Sequence, residues 1–302
     1  KKMPEFGACL EHIQNGRMPI HITGMTGSQK SHFIYSLCKA TDKKCLIITY
    51  DEQEAGRISN DLSFLFCREA VVFKNREYIF YDVDAANHAG EHSRLLALSK
   101  LMQDAPVVTT CEAASHFTLP PHIFKENLFT LIPGDTLDID SFLKRLVYMG
   151  YRRTSQVESV GQFAVRGSII DVFSPFHDNP VRIDLFDDEI DSLREFECTS
   201  QISLNNVETY CICPSREILY NEDKALEISR AIRLMKNENL MSDAEKFAEN
   251  RYFSSVDKYM PFIYEDLYTI FDYIDDNTLV FLDEAKIVSE SMKISAKQQG
   301  EI

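Results

Sequence analysis

The stretch MPIHITGMTGSQKSHFIYSLCKATDKKCLIITYD, Met18 to Asp51, decides the fold. MPIHITG reads as a strand running into a glycine loop, KSHFIYSLCKA as the helix after it, and KKCLIITYD as a buried strand of apolar and β-branched residues. Strand, glycine loop and helix N-terminus together frame a phosphate-binding loop, G-x-x-x-x-G-K-[ST], whose backbone N–H groups cradle phosphates. In GMTGSQKS, Gly24, Lys30 and Ser31 are in place and Gly27 lies within the loop, but Gln29 stands where the second glycine belongs. The stretch is either an ATP site with a flaw or the remains of one.

Outward from it, strand and helix alternate. EQEAGRISNDLSFLF has helical spacing, AVVFK is a short strand, GEHSRLLALSKLMQ is amphipathic and APVVTTCEAA returns to strand. Such alternation predicts a parallel sheet flanked by helices. LPPH, Leu119 to His122, interrupts it, because two prolines stop any regular element. After a strand, LFTLIPG, and a helix, DIDSFLKRLVYMG, the period becomes two between Gly150 and Pro214: GQFAVRGSIIDVFSP, PVRIDLFDDEIDSLREF and VETYCICP are short extended runs between turn residues. From Ser215 to Tyr273 the chain is helical and charged, and NTLVFLDEAK, Asn277 to Lys286, is a last buried strand. Its apolar run into Asp283 and Glu284 reads either as a magnesium-holding Walker B strand or as a sheet strand with acidic residues at its exposed end. The expected fold class is α/β, a degenerate RecA-like (P-loop NTPase-like) parallel-sheet domain interrupted by an inserted, mostly antiparallel α+β domain. The boundaries fall at 1–118, 119–214 and 215–302, the first and last segments completing one domain.

Composition bounds the function. A chain of 302 residues has room for two or three compact units. Its 44% hydrophobic and 26% charged content is that of a globular protein. No apolar run reaches the ~18 residues of a membrane span, and KKMPEFGACLEHIQNG lacks the apolar centre of a signal peptide. The eight cysteines show no C-x-x-C pair or recurring spacing, so a reduced, cytoplasmic protein is expected; Cys211 and Cys213 lack a matching pair for zinc. A net charge of −15 repels a nucleic-acid backbone. Weak or no DNA binding is expected, and a protein partner is favoured.

The run GQFAVRGSIIDVFSPFHDNPVRIDLFDDEIDSLREFECTSQ, Gly161 to Gln201, is similar to the signature of the UvrB-homology region of the bacterial transcription-repair coupling factors, the Mfd family. RGSIIDVF, RIDLFDDEIDSLR and PSRE stand at that family's spacing, and GMTGSQKS and VFLDEA flank them where UvrB-like folds place their nucleotide motifs. The resemblance spans essentially the whole chain and corresponds to the amino-terminal quarter of a much longer protein. It implies an interrupted RecA-like domain, 1A and 1B, with domain 2 inserted. It implies that domain 2 imitates UvrB and recruits UvrA to stalled RNA polymerase in transcription-coupled nucleotide excision repair, with UvrA contacts at Arg166, Arg182 and Phe186. It also implies that polymerase and DNA are engaged by other parts of the family protein, an ATP-dependent translocase whose carboxy-terminal domain packs over the domain 2 surface.

The chemistry of the residues bears on each point. In VRIDLF the period of two puts Val181, Ile183 and Leu185 on one face and Arg182, Asp184 and Phe186 on the other. Phe186 is either covered by a neighbouring hairpin or helix, or exposed beside an arginine as in a binding hot spot. Between Tyr151 and Tyr210 lie five arginines, no lysine and eleven acidic residues, a setting suited to bidentate pairing with carboxylates more than to phosphate tracking. At the glycine loop, Gln29 adds a side chain near the phosphates and would cost about 1–2 kcal/mol if its position required φ > 0. RecA-like ATPases commonly take an arginine from a second lobe, which is not in this sequence. No catalytic residue, no cofactor and no enzymatic activity are therefore expected, ATP and Mg²⁺ entering only if the loop is competent. The rival reading is a nucleotide hydrolase of a UvrB-like repair protein, with Lys30, Ser31, Asp283 and Glu284 in motor roles. UvrB itself is disfavoured, because the passage from Tyr81 to Arg94 is too short for a DNA-gripping hairpin. His88 and His92 have the i, i+4 spacing of zinc ligands without the rest of that motif, so no metal site is expected and both read as solvated histidines at a helix N-terminus. FDYIDDN, Phe271 to Asn277, reads as an acidic turn ahead of a strand.

Overall fold

The structure, a computed structural model, describes residues 4–76, 89–253 and 255–300. Residues 81–88 of the passage from Tyr81 to Arg94, His88 among them, lie outside the described residues. The chain divides into two compact units, one drawn from Lys1–Arg76, Leu96–His116 and Ile270–Ile302, the other from Glu77–Leu95 and Phe117–Thr269. The sequence reading groups 215–302 together; here the helical residues up to Thr269 go with the second unit and the closing strand with the first.

In chain order the strands are β1 (Lys44–Thr49), β2 (Val71–Phe73), β3 (Val107–Thr110), β4 (Phe129–Leu131), β5 (Arg152–Arg153), β6 (Gln162–Arg166), β7 (Ile169–Val172), β8 (Val181–Phe186), β9 (Glu189–Phe196), β10 (Ser203–Asn206), β11 (Tyr210–Ile212) and β12 (Thr278–Leu282). The first unit holds a parallel sheet in the order β12-β1-β3-β2. β1 is apolar because Cys45, Leu46 and Ile47 are all buried, as in a sheet covered on both faces. Helices Ser28–Thr41 and Glu52–Phe66 supply Ile34, Leu37, Ile58 and Leu62 to the core that Ile47 and Val108 enter from the sheet. The second of these helices starts where the Asp51 side chain accepts the Glu54 N–H at 2.7 Å. β12 pairs with β1 along its length, and both strands lie in the first unit.

Three local expectations fail here for physical reasons. MPIHITG forms no strand: Pro19 removes a ladder donor, Met18 and Ile22 stay exposed, and nothing pairs with the segment among the described residues. CEAA is not strand but the start of a short helix, Cys111–Ser115, because the Thr110 hydroxyl caps it by accepting the Ala113 N–H. The two prolines at LPPH do break the chain, yet Pro121 opens helix Pro121–Glu126, since at the first helical position its missing N–H costs nothing.

The second unit is built on a sheet in the order β10-β9-β8-β7-β6-β5, antiparallel except for the β5–β6 pair, with β4 and β11 forming a separate two-stranded ladder. One face of the large sheet carries Phe163, Ile170, Val181, Ile183, Leu185 and Leu193 into a core closed by Phe142 and Leu146 of helix Ile139–Tyr148 and by Leu131 and Tyr210. The other face is left for the site described below.

His177 ties β11 to the loop before β8. Its ring stacks on Tyr210 with centroids 3.8 Å apart, and its Nε2 accepts the Cys211 N–H at 3.1 Å. Acceptance requires the neutral ring, and burial pushes the pKa below its ordinary value. The folded state then binds fewer protons here than the unfolded chain. Stability is fully present above the ordinary histidine pKa of about 6.5 and is lost as pH falls through the lower folded value. Thermal melts are expected to show a lower Tm at pH 5.5 than at pH 7.5, with His177→Phe, which keeps the stack, shrinking that difference; an unchanged difference would place the titration elsewhere.

Candidate functional site

Helix Ser28–Thr41 begins directly after Gly27, whose φ of 50° and ψ of −136° suit glycine alone. Gln29 is already helical and is not among the residues with positive φ, so the backbone strain foreseen for it does not arise. Its effect comes through the side chain, which turns back so that Oε1 accepts the Thr26 N–H at 3.3 Å. Lys30 Nζ donates to Asp283 at 2.7 Å and to Glu284 at 2.6 Å. Burial pulls the Lys30 pKa down, but the two carboxylates outweigh it and hold the ammonium above its ordinary range. Ser31 is fully buried and donates to Asp61 at 2.9 Å, and Arg57 bridges Glu54 and Asp61. The Lys30 ammonium and the Ser31 hydroxyl are thus engaged within the protein. A triphosphate would approach Asp283, Glu284, Asp61 and Glu54, the carboxylates with which Lys30 and Arg57 are already paired.

The outer face of the large sheet is arranged differently. β6 turns into β7 through Gly167 and Ser168, with Gly167 at φ +62° as a two-residue hairpin loop requires. That turn sets Ala164 opposite Asp171, and β7 in turn sets Asp171 opposite Arg182. Arg182 Nε donates to Asp171 Oδ1 at 2.8 Å and its Nη2 to Oδ2 at 3.1 Å, while Arg166 Nη2 donates to Oδ2 from the other side. Asp171 is completely covered by this pairing, whereas the Arg166 side chain remains 47% exposed. Arg182 also lies over the Phe196 ring, 4.6 Å from its centroid, a cation–π contact that fixes its reach. At the end of β8, Phe186 is 74% exposed, so it is not covered by a hairpin or helix. The structure therefore brings Arg166 and Arg182 together through one carboxylate and leaves Phe186 bare on the same face.

Two residues of this face are absent from the sequence reading. Asp171 follows from the hairpin once Gly167 is recognised as its turn. Arg194 faces Arg182 across β8 and β9 and donates from Nη2 to Asp184. Its place depends on an irregularity in the ladder near Asp184 and Leu185. The signal was the spacing of Ile190 and Leu193, both 1% exposed and three residues apart, which a strand of strict period two cannot bury together without a bulge.

The unit carrying this face is locked by residues of PSRE. Arg94 donates from Nε to Glu217 Oε2 at 2.9 Å and from Nη2 to Oε1 at 2.9 Å, and Thr118 Oγ1 donates to the same carboxylate at 2.6 Å. His92, expected to be solvated, is half-buried with Nε2 3.0 Å from the Ser215 carbonyl oxygen. A side chain on Gly161 would collide with Ser215, and one on Gly150 with Arg216. Among the described residues no group of His, Cys, Asp and Glu could hold a metal ion, and no helix is long and apolar enough to cross a membrane.

The family model for the UvrB interaction domain matches residues 129–218, which include the outer face and PSRE. A transcription-repair-coupling factor of Bacillus subtilis is 29% identical to the chain over 100% of its length, and the match covers 27% of that protein. Those of Myxococcus xanthus and Staphylococcus epidermidis are 27% and 28% identical over 92% and 91% of the chain, each match covering 25% of the relative. The chain is homologous over its whole length to the amino-terminal region of transcription-repair coupling factors. It spans about a quarter of the length of these curated relatives. Arg166, Arg182 and Phe186 all fall within the residues that the UvrB interaction domain model matches.

Proposed function

We propose that this chain is a recruitment module that imitates UvrB, binds UvrA through Arg166, Arg182 and Phe186, and has no ATPase activity of its own. The observation that carries the reading is the outer sheet face of a UvrB interaction domain, on which two arginines share one buried carboxylate and an aromatic ring stands exposed beside them. Exposed Arg and aromatic side chains at the centre of an interface commonly dominate its energy. Through UvrA the module serves transcription-coupled nucleotide excision repair in the cytoplasm. RNA polymerase and DNA would be engaged outside the quarter of the coupling factor represented here, and a carboxy-terminal domain of that longer protein would mask the UvrA-binding face. The acidic chain itself holds DNA weakly or not at all.

The rival, a nucleotide hydrolase, draws on the meeting of Lys30 with Asp283 and Glu284. The same contacts weigh against it, since the lysine and the serine hydroxyl are committed to carboxylates. Isothermal titration with Mg·ATP is expected to give no saturable heat, and steady-state assays no phosphate release. Micromolar binding with turnover would overturn the silent-module reading.

A further inference from the structure

We infer that Arg194 is a third arginine of the binding face and that it receives a carboxylate of the protein partner. The inference rests on the reading above that this face binds UvrA. Arg194 stands directly opposite Arg182 on the same side of the sheet. Its side chain is 40% exposed and is held through Nη2 on Asp184, while its buried Nε has no acceptor among the described residues. An arginine held by one carboxylate, with its Nε unsatisfied and its side chain reaching solvent, is a weak internal strut, and its planar fork matches a carboxylate.

The arrangement of charge also selects the ligand class. Asp171 is fully covered and Asp184 mostly so, so a partner approaching the face meets guanidinium groups at Arg166 and Arg194 on either side of Arg182. An extended polyanion such as nucleic acid would also have to run past the exposed acids Asp187, Asp188 and Glu189 beside Phe186. A side-chain carboxylate on a folded protein avoids them. Arginine without lysine on this face accords with bidentate pairing.

The test is calorimetric titration of purified UvrA with the full chain and its variants, each checked by thermal melting. Arg194→Ala is expected to weaken binding at least about tenfold with little change in Tm. Arg194→Gln, closer in size, is expected to give the same loss and serves if the alanine variant melts early. Asp184→Asn takes the charge out of the same internal bond while keeping the arginine, and is expected to bind as wild type. Wild-type affinity in Arg194→Ala, or an equal loss in Asp184→Asn, would overturn the assignment by making Arg194 dispensable or merely structural. Arg166→Ala separates the two levels of the reading: if it abolishes binding while Arg194→Ala does not, only the third arginine falls, whereas a wild-type chain that fails to bind UvrA sinks the whole face.

Discussion

Glu217→Ala is expected to destabilise the second unit by about 3–5 kcal/mol, enough to unfold it in part at 37 °C. The Arg94 and Glu217 side chains are 0% and 1% exposed, so removing the carboxylate takes the acceptor of Nε and Nη2 away from a guanidinium that water cannot reach. It also takes away the acceptor of the Thr118 hydroxyl. The cost lies in a buried charge that loses its carboxylate rather than in the worth of the pair, so the double variant Arg94→Met/Glu217→Leu is expected to be more stable than either single change. Urea unfolding monitored by circular dichroism reads this directly. A loss under about 1 kcal/mol in Glu217→Ala would mean that the surroundings relax to resolvate Arg94, against the buried network described above.

Arg166→Ala is expected to weaken UvrA binding by at least about 30-fold, the ~2 kcal/mol of a hot spot, with an unchanged melting curve. Its half-exposed side chain can be removed because Asp171 keeps two hydrogen bonds from Arg182. Arg182 is not equivalent. It is the principal partner of a fully buried carboxylate and packs on Phe196, so Arg182→Ala is expected to lower both affinity and Tm, and Arg182→Glu to do so more severely by placing two carboxylates together. Parallel titrations and melts of the two alanine variants separate the roles; equal thermal losses in both would show that Arg166 is also structural.

What the sequence conveyed and what it withheld follow from the range of the interactions. The faces of VRIDLF were readable because alternation is local: Val181, Ile183 and Leu185 are buried and Phe186 is bare. The parallel unit was readable because CLII, Cys45 to Ile48, has no polar position to offer solvent. MPIHITG misled because its apolar residues alternate as in a strand, while pairing depends on a neighbour that local pattern does not reveal. Of the two consequences expected of Gln29, only the one in the side chain is found, since the helix starts one residue before it and its backbone is unstrained. Arg94 and Glu217 are 123 residues apart in sequence, and no periodicity links them. Arg194 lay between these cases, hidden by a bulge that the Ile190 to Leu193 spacing announced.

The central claim is that the outer face of the UvrB interaction domain recruits UvrA. Phe186 tests it most directly: at 74% exposure it has little to lose within the fold, so a binding defect on its removal would come from the partner. Purified UvrA titrated with the wild-type chain and with Phe186→Ala is expected to show saturable binding for the first and at least about 30-fold weaker binding for the second, at equal Tm. Equal affinity of the two chains, or no binding by the folded wild type, would contradict the account.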